Sequence, residues 1–212
     1  MGVNENPISK KTISDQIAEK LLFRIFSGYY EQGQRLVEAE IAKELQVSHA
    51  PVREALYLLQ KDGVVEKVQH KGVRVKTISD QELKDYLETL YALLDVALTK
   101  CEPKWTSDIQ SELLLRFEEM KQKKSAENIY EYVLSLAHLL KLFFEVTNNI
   151  AMLRFFNETI FVTNVAAQTK WKIELLESYH HSIHTFVQCI ELSDFEKARA
   201  AIKDVILWHH FD

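Results

Sequence analysis

The sequence predicts a mainly α-helical fold in two parts: a winged helix-turn-helix over residues 1–78, then an all-helical bundle of about six helices over residues 79–212. All five glycines fall within the first 72 residues. The remaining 140 residues contain a single proline, Pro103, so they offer few of the turn residues that hairpins require. We place the linker between the two parts near Lys76 to Asp80.

Charge divides the chain at the same place. Residues 1–79 hold 12 Lys and Arg against 10 Asp and Glu, whereas the remainder holds 14 against 21 and gives the chain its net charge of −5. Because phosphate binding depends on Lys and Arg, only the N-terminal part is suited to a nucleic-acid partner.

The composition is that of a globular protein, with 47% hydrophobic and 27% charged residues. Cys101 and Cys189 lie far apart in segments that read as helix, so they form neither a disulfide framework nor a CxxC site, and we expect both to be reduced core residues. The first residues lack the apolar stretch of a signal peptide, and no segment reaches the roughly eighteen apolar residues of a membrane helix. We therefore expect a cytoplasmic protein without a membrane partner.

Two helices are expected in the first 45 residues. A first helix ending at Gly28 is predicted by apolar residues at helical spacing: Ile13, Ile17, Leu21, Leu22 and Ile25. A second, short helix from Glu38 to Leu45 turns Ile41, Ala42 and Leu45 inward. A tight connection from Gln46 to Ser48 then leads into a third helix.

The third helix is expected to start near Ala50 and to end at Gly63, with Pro51 in the first turn, where a missing N–H costs nothing. One side of this helix forms an apolar stripe of Val52, Ala55, Leu56 and Leu59. The opposite face carries His49, Arg53 and Tyr57 at four-residue steps, so these three side chains face outward together.

Residues 64–76 read as two short strands around a turn from Gln69 to Gly72, rich in valine and basic residues. Three helices followed by a basic hairpin make a winged helix-turn-helix, which can place one helix in the major groove and the wing on the neighbouring backbone. The candidate DNA-contacting residues are Arg35, Ser48, His49, Ala50, Arg53, Tyr57, His70, Lys71 and Gly72.

Among these candidates, Arg53 is the expected base reader, and Arg35, just before the second helix, is placed for a phosphate. The wing tip at His70, Lys71 and Gly72 could approach the minor groove with little steric bulk. Each residue alone also fits a plain surface role, in which Arg53 pairs with a neighbouring acid such as Glu54 and the lysines are solvated.

A longer motif joins these residues, in which glycines and apolar positions frame the segment Val-Ser-x-x-Pro-Val-Arg-Glu-Ala-Leu. Its members are Gly28, Gly33, Leu36, Glu38, Ala42, Val47, Ser48, Pro51, Val52, Arg53, Glu54, Ala55, Leu56, Gly63 and Gly72. The motif, over about Ile13 to Val75, resembles the DNA-binding domain of the GntR family, which implies a sequence-specific DNA-binding regulator. That family commonly has Arg and then Thr where this chain has His49 and Ala50, so its base preference is expected to differ.

The C-terminal part resembles the all-helical ligand-binding domain, often called FCD, of the FadR-type branch of that family. The expected helices are Asp80 to Cys101, Ser107 to Gln122, Ala126 to Thr147, Ile150 to Gln168, Lys170 to Leu192 and Asp194 to His210. Capping boxes support two of them, Ser79 with Glu82 and Ser193 with Glu196. The first of these helices should bury Leu83, Leu87, Leu90, Leu94 and Ala97.

Many members of that branch hold a divalent metal with an Asp and three His. By the resemblance, Leu136, Leu140, Ile183 and Val205 stand in those four places, and Tyr91 stands where an effector-binding Arg is often found. The resemblance therefore implies an apolar effector cavity without metal or other cofactor, lined by these five residues. Aromatic residues add to it on neighbouring helices, although most of them are expected to be ordinary core: Phe143, Phe144, Phe155, Phe156 and Phe161.

Six histidines in this part leave a second interpretation open: His138, His180, His181, His184, His209 and His210. His180 and His184 are four residues apart, a spacing that lets two imidazoles on one helical face share an ion. The simpler interpretation is a partly exposed polar stripe, with the C-terminal pair capping its own helix dipole.

Two other classes of function fit the sequence less well. An enzyme is disfavoured, because no HExxH, nucleophile elbow or phosphate loop accompanies the histidines. A winged-helix adaptor for protein partners has no need of Arg35, Arg53 and a basic wing together. The sequence thus predicts a homodimeric transcriptional regulator that binds double-stranded operator DNA and responds to a small, apolar effector in its helical domain.

Overall fold

The computed structural model describes residues 11–69, 72–125, 129–170 and 176–207, with side chains for all of these except 125, 130 and 167–170. The mainly helical fold class predicted from the sequence is confirmed. The chain divides into two compact units, Met1–Thr77 and Ile78–Asp212. This division falls one residue before the boundary drawn from the sequence.

In its described residues, the first unit contains three helices and three short strands. In chain order they are α1 (Ile13–Phe26), β1 (Arg35–Leu36), α2 (Glu38–Leu45), α3 (His49–Lys61), β2 (Val65–Val68) and β3 (Gly72–Val75).

Helix α1 begins at a capping box. The Thr12 hydroxyl accepts from the Asp15 N–H at 3.1 Å, and the Asp15 carboxylate accepts from the Thr12 N–H at 2.9 Å, so two otherwise unpaired backbone donors are satisfied. Ile13, at the start of the apolar repeat, is exposed, whereas Ile17 and Leu21 are buried where α1 packs on α3.

The sheet has three antiparallel strands in the order β1–β3–β2, not the two predicted. The additional strand is β1, in which Arg35 lies opposite Arg74 and Leu36 opposite Val73. A strand of two residues is too short to show an alternating pattern in the sequence. Its inward-facing residue, Leu36, is buried.

The turn between α2 and α3 depends on a left-handed residue. Gln46 has φ of 54°, and the next amide, Val47 N–H, donates back to Ala42 O at 3.0 Å. Ser48 is extended and precedes α3, which begins at His49, one residue before the predicted start. The two helices therefore meet through a connection of three residues, as the sequence suggested.

The second unit is all helical in its described residues. Its elements are α4 (Asp80–Cys101), a 3₁₀ helix (Glu102–Lys104), α5 (Ser107–Ser125), α6 (Ile129–Thr147), α7 (Ile150–Lys170), α8 (Leu176–Glu191) and α9 (Phe195–Leu207).

Several predicted boundaries in this unit are wrong by a few residues. Helix α5 continues to Ser125 and α7 to Lys170, past the predicted ends at Gln122 and Gln168, because no glycine or proline stops either helix. The predicted start of α6 at Ala126 and the predicted end of α9 at His210 lie outside the described residues.

One predicted capping box is wrong. Ser79 caps α4, accepting from the Glu82 N–H at 3.2 Å. Ser193 does not cap α9, because its φ of 58° belongs to the turn that closes α8, where the Asp194 N–H donates to Cys189 O at 2.8 Å. The side chain of Asp194 caps α9 instead, accepting from the Lys197 N–H at 3.0 Å.

A single hydrophobic cluster fills the second unit. Helix α4 contributes Leu90, Leu94 and Ala97 to it, while Leu87 is only partly buried. Cys101 is buried at the end of the same face, and its thiol donates to Phe143 O at 2.8 Å. Burial raises the pKa of Cys101 to about 12, so the thiol stays protonated and unreactive, while Cys189 is half-buried and also a free cysteine.

No helix in the described part of the chain is long and apolar enough to cross a membrane.

The packing of α4 generates a stability prediction. Replacing Leu94, which is fully buried, by alanine should lower the free energy of unfolding by about 2 to 5 kcal/mol, because a cavity remains in the core. The matched change Leu115→Ala, at a side chain 57% exposed, should cost less than about 0.5 kcal/mol. Urea titration followed by tryptophan emission measures this unit, since all three tryptophans lie in it. Equal losses in the two variants would contradict the assigned core.

Candidate nucleic-acid interface

Helix α3 has two chemically distinct faces. Val52, Ala55, Leu56 and Leu59 are buried, as the sequence indicated. The opposite face carries His49, Arg53 and Tyr57, all exposed, and the side chain of Arg53 is 71% exposed. Ser48 and Ala50 at the start of the helix are exposed as well. The candidate residues of the recognition helix therefore share one solvent-facing surface.

The partner of Arg53 is Glu38, in the first turn of α2, and not Glu54, the acid named in the alternative surface role. Arg53 Nε and Nη2 each donate to Glu38 Oε2 at 3.2 Å. Arg53 Nη1 has no partner among the described residues. Glu54 instead accepts from the buried Ser14 hydroxyl at 2.5 Å and so connects α3 to α1. The two acids thus have different partners: Glu38 pairs with the exposed guanidinium, and the carboxylate of Glu54 accepts a hydrogen bond from the buried Ser14.

Arg35 lies beside the wing. An added Cβ at Gly72 would lie 3.8 Å from Arg35 Nε, so the guanidinium is close to the first residue of β3. Arg35 is exposed and forms no ion pair with any residue that the structure describes, whereas Arg74, opposite it in the sheet, is paired with Glu66 at 2.6 Å. His70 and Lys71 lie outside the described residues. Of the wing candidates, Arg35 is therefore the described cation that remains available to a phosphate.

Glu38 is the functional candidate that sequence reasoning missed. It belongs to the motif quoted above, but fifteen residues separate it from Arg53, and neither lies at a helical spacing from the other. The contact depends on the angle at which α2 meets α3. Its only sequence signal is an acid at the start of a short helix, where the helix dipole also favours a carboxylate.

The five predicted effector-site residues are placed as follows. Leu136, Leu140, Ile183 and Val205 are all buried in the cluster that fills the second unit. Tyr91 is partly buried against the same cluster, with Lys203 Nζ 5.9 Å from its ring centre. Burial raises the pKa of Tyr91, so its hydroxyl stays protonated. The four aliphatic side chains thus belong to one large hydrophobic cluster.

The aromatic residues named with them divide into two groups. Phe143, Phe144 and Phe156 are buried, and the rings of Phe144 and Phe156 stack at 4.3 Å. Phe155, on α7, is mostly exposed, because consecutive residues of an α-helix point about 100° apart and only Phe156 points into the core. Phe155 therefore adds nothing to an internal cavity.

The histidines do not form one group. His138 is half-exposed, with Nδ1 at 4.0 Å from Glu119, while His180 and His184 lie together on α8. Within the described residues, no three histidine, cysteine or acidic side chains converge as a metal site. His209 and His210 lie outside the described residues.

Three helices, the third with an exposed polar face, and a small three-stranded sheet define a winged helix-turn-helix. Residues 13–75 match the family model described as bacterial regulatory proteins, gntR family. The N-terminal unit therefore carries a GntR-type helix-turn-helix.

Individual relatives extend this comparison. A protein of Paenarthrobacter nicotinovorans, described as a probable D-xylose utilization operon transcriptional repressor, is 29% identical over 97 residues, which cover 46% of this chain and 43% of the relative. An uncharacterized HTH-type transcriptional regulator of Bacillus subtilis is 29% identical over 83 residues, or 39% of this chain and 37% of the relative. The chain thus spans less than half the length of these curated relatives.

Solved structures match nearly the whole chain in fold. E. coli McbR/YncC superposes with a TM-score of 0.79 at 16% identity, covering 96% of this chain and all of the other. A candidate GntR transcriptional regulator from Rhodococcus sp. RHA1 gives a TM-score of 0.83 at 16% identity, covering 93% and 95% of the two chains. At this level of identity the likeness establishes the fold alone.

The different environments of Ser14 and Arg53 lead to a second prediction. Ser14→Ala should lower the stability of the α1–α3 packing by about 1 to 2 kcal/mol, because the hydrogen bond from the buried Ser14 hydroxyl to the charged Glu54 carboxylate is lost. Arg53→Ala should change it by less than about 0.5 kcal/mol, because its ion pair is exposed. Hydrogen exchange of peptides from α1 and α3 in the full chain measures both changes. A large loss of protection in Arg53→Ala would mean that this arginine is structural.

Proposed function

We propose that this chain is a transcriptional regulator of the FadR-type branch, in which a winged helix-turn-helix binds operator DNA and an FCD-like helical unit binds a small-molecule effector and forms the dimer. The observation that carries the proposal is the exposed face of α3, where Arg53 and its neighbours stand free of the core in a segment that matches the GntR model. Several relatives are named as transcriptional regulators, one of them as a probable sugar-operon repressor, and these names support the regulator class.

Arg53 reads base edges in this proposal. A guanidinium can bind guanine through two N–H groups, and each such contact contributes about 1 to 3 kcal/mol of discrimination. Glu38 occupies Nε and one hydrogen of Nη2, so Nη1 and the outer hydrogen of Nη2 remain for DNA. Glu38 also limits the rotamers of Arg53, which lowers the entropy lost when the side chain binds a base.

Arg35 positions the module on the backbone. It lies beside Gly72, and the small residue lets a phosphate approach the guanidinium from the wing side. His49 and Ala50, at the start of α3, face the same groove and set a base preference different from that of regulators with Arg and Thr there.

The helical unit supplies symmetry and regulation. A homodimer presents two α3 helices to the halves of a short palindrome, and an effector in the bundle changes their separation or tilt. The apolar residues Leu136, Leu140, Ile183 and Val205 offer no lone pairs, so the effector is more apolar than a small carboxylate and is held without metal.

Selection of binding sites from random DNA, followed by titration of the selected duplex, tests the DNA-binding role. Arg53→Ala should cost about 1 to 3 kcal/mol of specific binding and relax the preference at one base pair. Arg35→Ala should weaken all sequences alike and lower the slope of log affinity against log salt by about 1.

The matched control for these variants is Arg154→Ala, which removes an exposed, paired arginine from the helical unit and should leave binding unchanged. Unchanged affinity and base preference in Arg53→Ala would disprove the assigned recognition face. A chain that selects no DNA at low salt would favour the adaptor function.

The helical unit should dimerise without the DNA-binding unit. A small winged helix has little surface for both DNA and a large self-interface, so we expect residues 80–212 alone to remain a homodimer. Light scattering of this fragment at micromolar concentration measures its mass. A monomer mass would contradict the assignment of the dimer interface to this unit.

A further inference from the structure

The solvent-facing side of α4 carries no charge over the middle of the helix. The residues exposed between positions 89 and 99 are Thr89, Ala92, Val96 and Thr99, which we call the α4 strip. Val96 is 45% exposed although it is a branched apolar residue. The solvent-facing side of a surface helix normally carries charged and polar residues. The α4 strip therefore differs from an ordinary solvated helix face.

The two threonines do not make the α4 strip polar. The Thr89 hydroxyl donates to Asp85 O at 2.8 Å, and the Thr99 hydroxyl donates to Asp95 O at 3.0 Å. Both hydroxyls are thus satisfied by the backbone of their own helix, one turn earlier. No side-chain polar group of the strip depends on water, so removing water from the strip costs little free energy.

The neighbouring helix adds apolar surface. Helix α7 packs against α4 and carries Phe155, which is 54% exposed and has no part in the core of its own unit. Single exposed apolar residues are common in proteins, but an uncharged helix strip together with an exposed aromatic ring on an adjacent helix is typical of an interaction surface.

Opposite charges lie at the two ends of the α4 strip. Asp85 precedes Ala92 by seven residues, and Lys100 follows it by eight. With a rise of 1.5 Å per residue, each charge lies about 11 Å from Ala92 along the helix. Both side chains are exposed, and neither forms an ion pair with a residue that the structure describes.

This arrangement of charges is complementary to itself in one orientation only. If a second α4 lies antiparallel to the first across a two-fold axis at Ala92, Lys100 faces Asp85 of the partner subunit at both ends of the contact. A parallel pair would instead place like charges together. The residue spacing agrees with such a pair, because Asp85 and the α4 strip follow one another at steps of four, three, four and three residues, the spacing of a coiled-coil seam.

We propose that α4 pairs with α4 of a second copy of this chain in an antiparallel, two-fold contact centred on Ala92. The contact rests on the homodimer of the proposed function and names the surface that forms it. Thr89 packs against Val96 of the partner subunit, and the small side chain of Ala92 lets the helices approach closely where they cross. A stable interface buries about 800 Å² of each partner, more than one helix strip offers, so α7 with Phe155 completes it.

Sedimentation equilibrium of the full chain, which gives the dimer dissociation constant, tests the contact. Val96→Glu should raise this constant at least about tenfold, because two unpaired carboxylates enter the centre of the interface. The matched control is Leu115→Glu, at a leucine of α5 that is 57% exposed, and it should change the constant by less than about twofold. Circular dichroism of each variant verifies that the helices are intact.

Exchanging the end charges tests the orientation. Asp85→Lys and Lys100→Asp should each raise the dissociation constant about tenfold at low salt, because each places like charges opposite one another at two symmetric positions. The double variant restores opposite charges and should return the constant to within about threefold of the original. A role of these residues within one chain gives no such rescue.

The outcomes separate this contact from the proposed function. A dimer that Val96→Glu leaves unchanged, or that Leu115→Glu weakens as strongly, overturns the α4 contact but leaves the homodimeric regulator in place. A double charge variant no better than the single ones overturns the antiparallel orientation and, with it, the proposal. A full chain that stays monomeric at all concentrations overturns the proposed homodimer as well.

Discussion

Packing of α3 on α1 is the constraint on which the DNA-binding surface depends. Val52, Ala55, Leu56 and Leu59 bury one face of α3, and a helix that is fixed along one face has no freedom to rotate the other. The Ser14–Glu54 hydrogen bond adds a polar contact to the same packing and fixes the helices lengthwise. The exposure of Arg53 is thus set by residues that never approach DNA.

The structural features that the sequence predicted correctly are those set by the spacing of apolar and polar residues. The two faces of α3, the buried face of α4 and the lack of strands after Val75 in the described residues all follow from spacing and from glycine placement, which act within one element. The errors share a different origin. Strand β1 is too short to show a periodic pattern. The N-cap of α9 is Asp194 and not Ser193, because Ser193 adopts the left-handed conformation that ends α8.

The candidate DNA-binding site could likewise be predicted only where residue spacing within one helix determines it. Exposure of His49, Arg53 and Tyr57 required only the helix period, but the Arg53–Glu38 contact depends on how two helices cross, which no local pattern encodes. The same holds in the helical unit. The spacing of His180 and His184 was visible in the sequence, whereas the ring of Phe117 and the hydroxyl of Tyr132 reach them from α5 and α6.

In the proposed complex with DNA, the Arg53–Glu38 pair explains how an acid is tolerated on the contact surface. An isolated carboxylate there would repel phosphates, but this one is neutralised by a guanidinium that is itself mostly exposed. An exposed ion pair contributes only about 0 to 1 kcal/mol, whereas a good base contact contributes about 1 to 3 kcal/mol. The contact with Glu38 is therefore too weak to keep the remaining N–H donors of Arg53 from binding a base. A wrong base leaves those donors unpaired while Glu38 still holds the side chain in place. In that proposed complex the pair limits the conformations of Arg53, so the side chain fits fewer bases than a flexible arginine would.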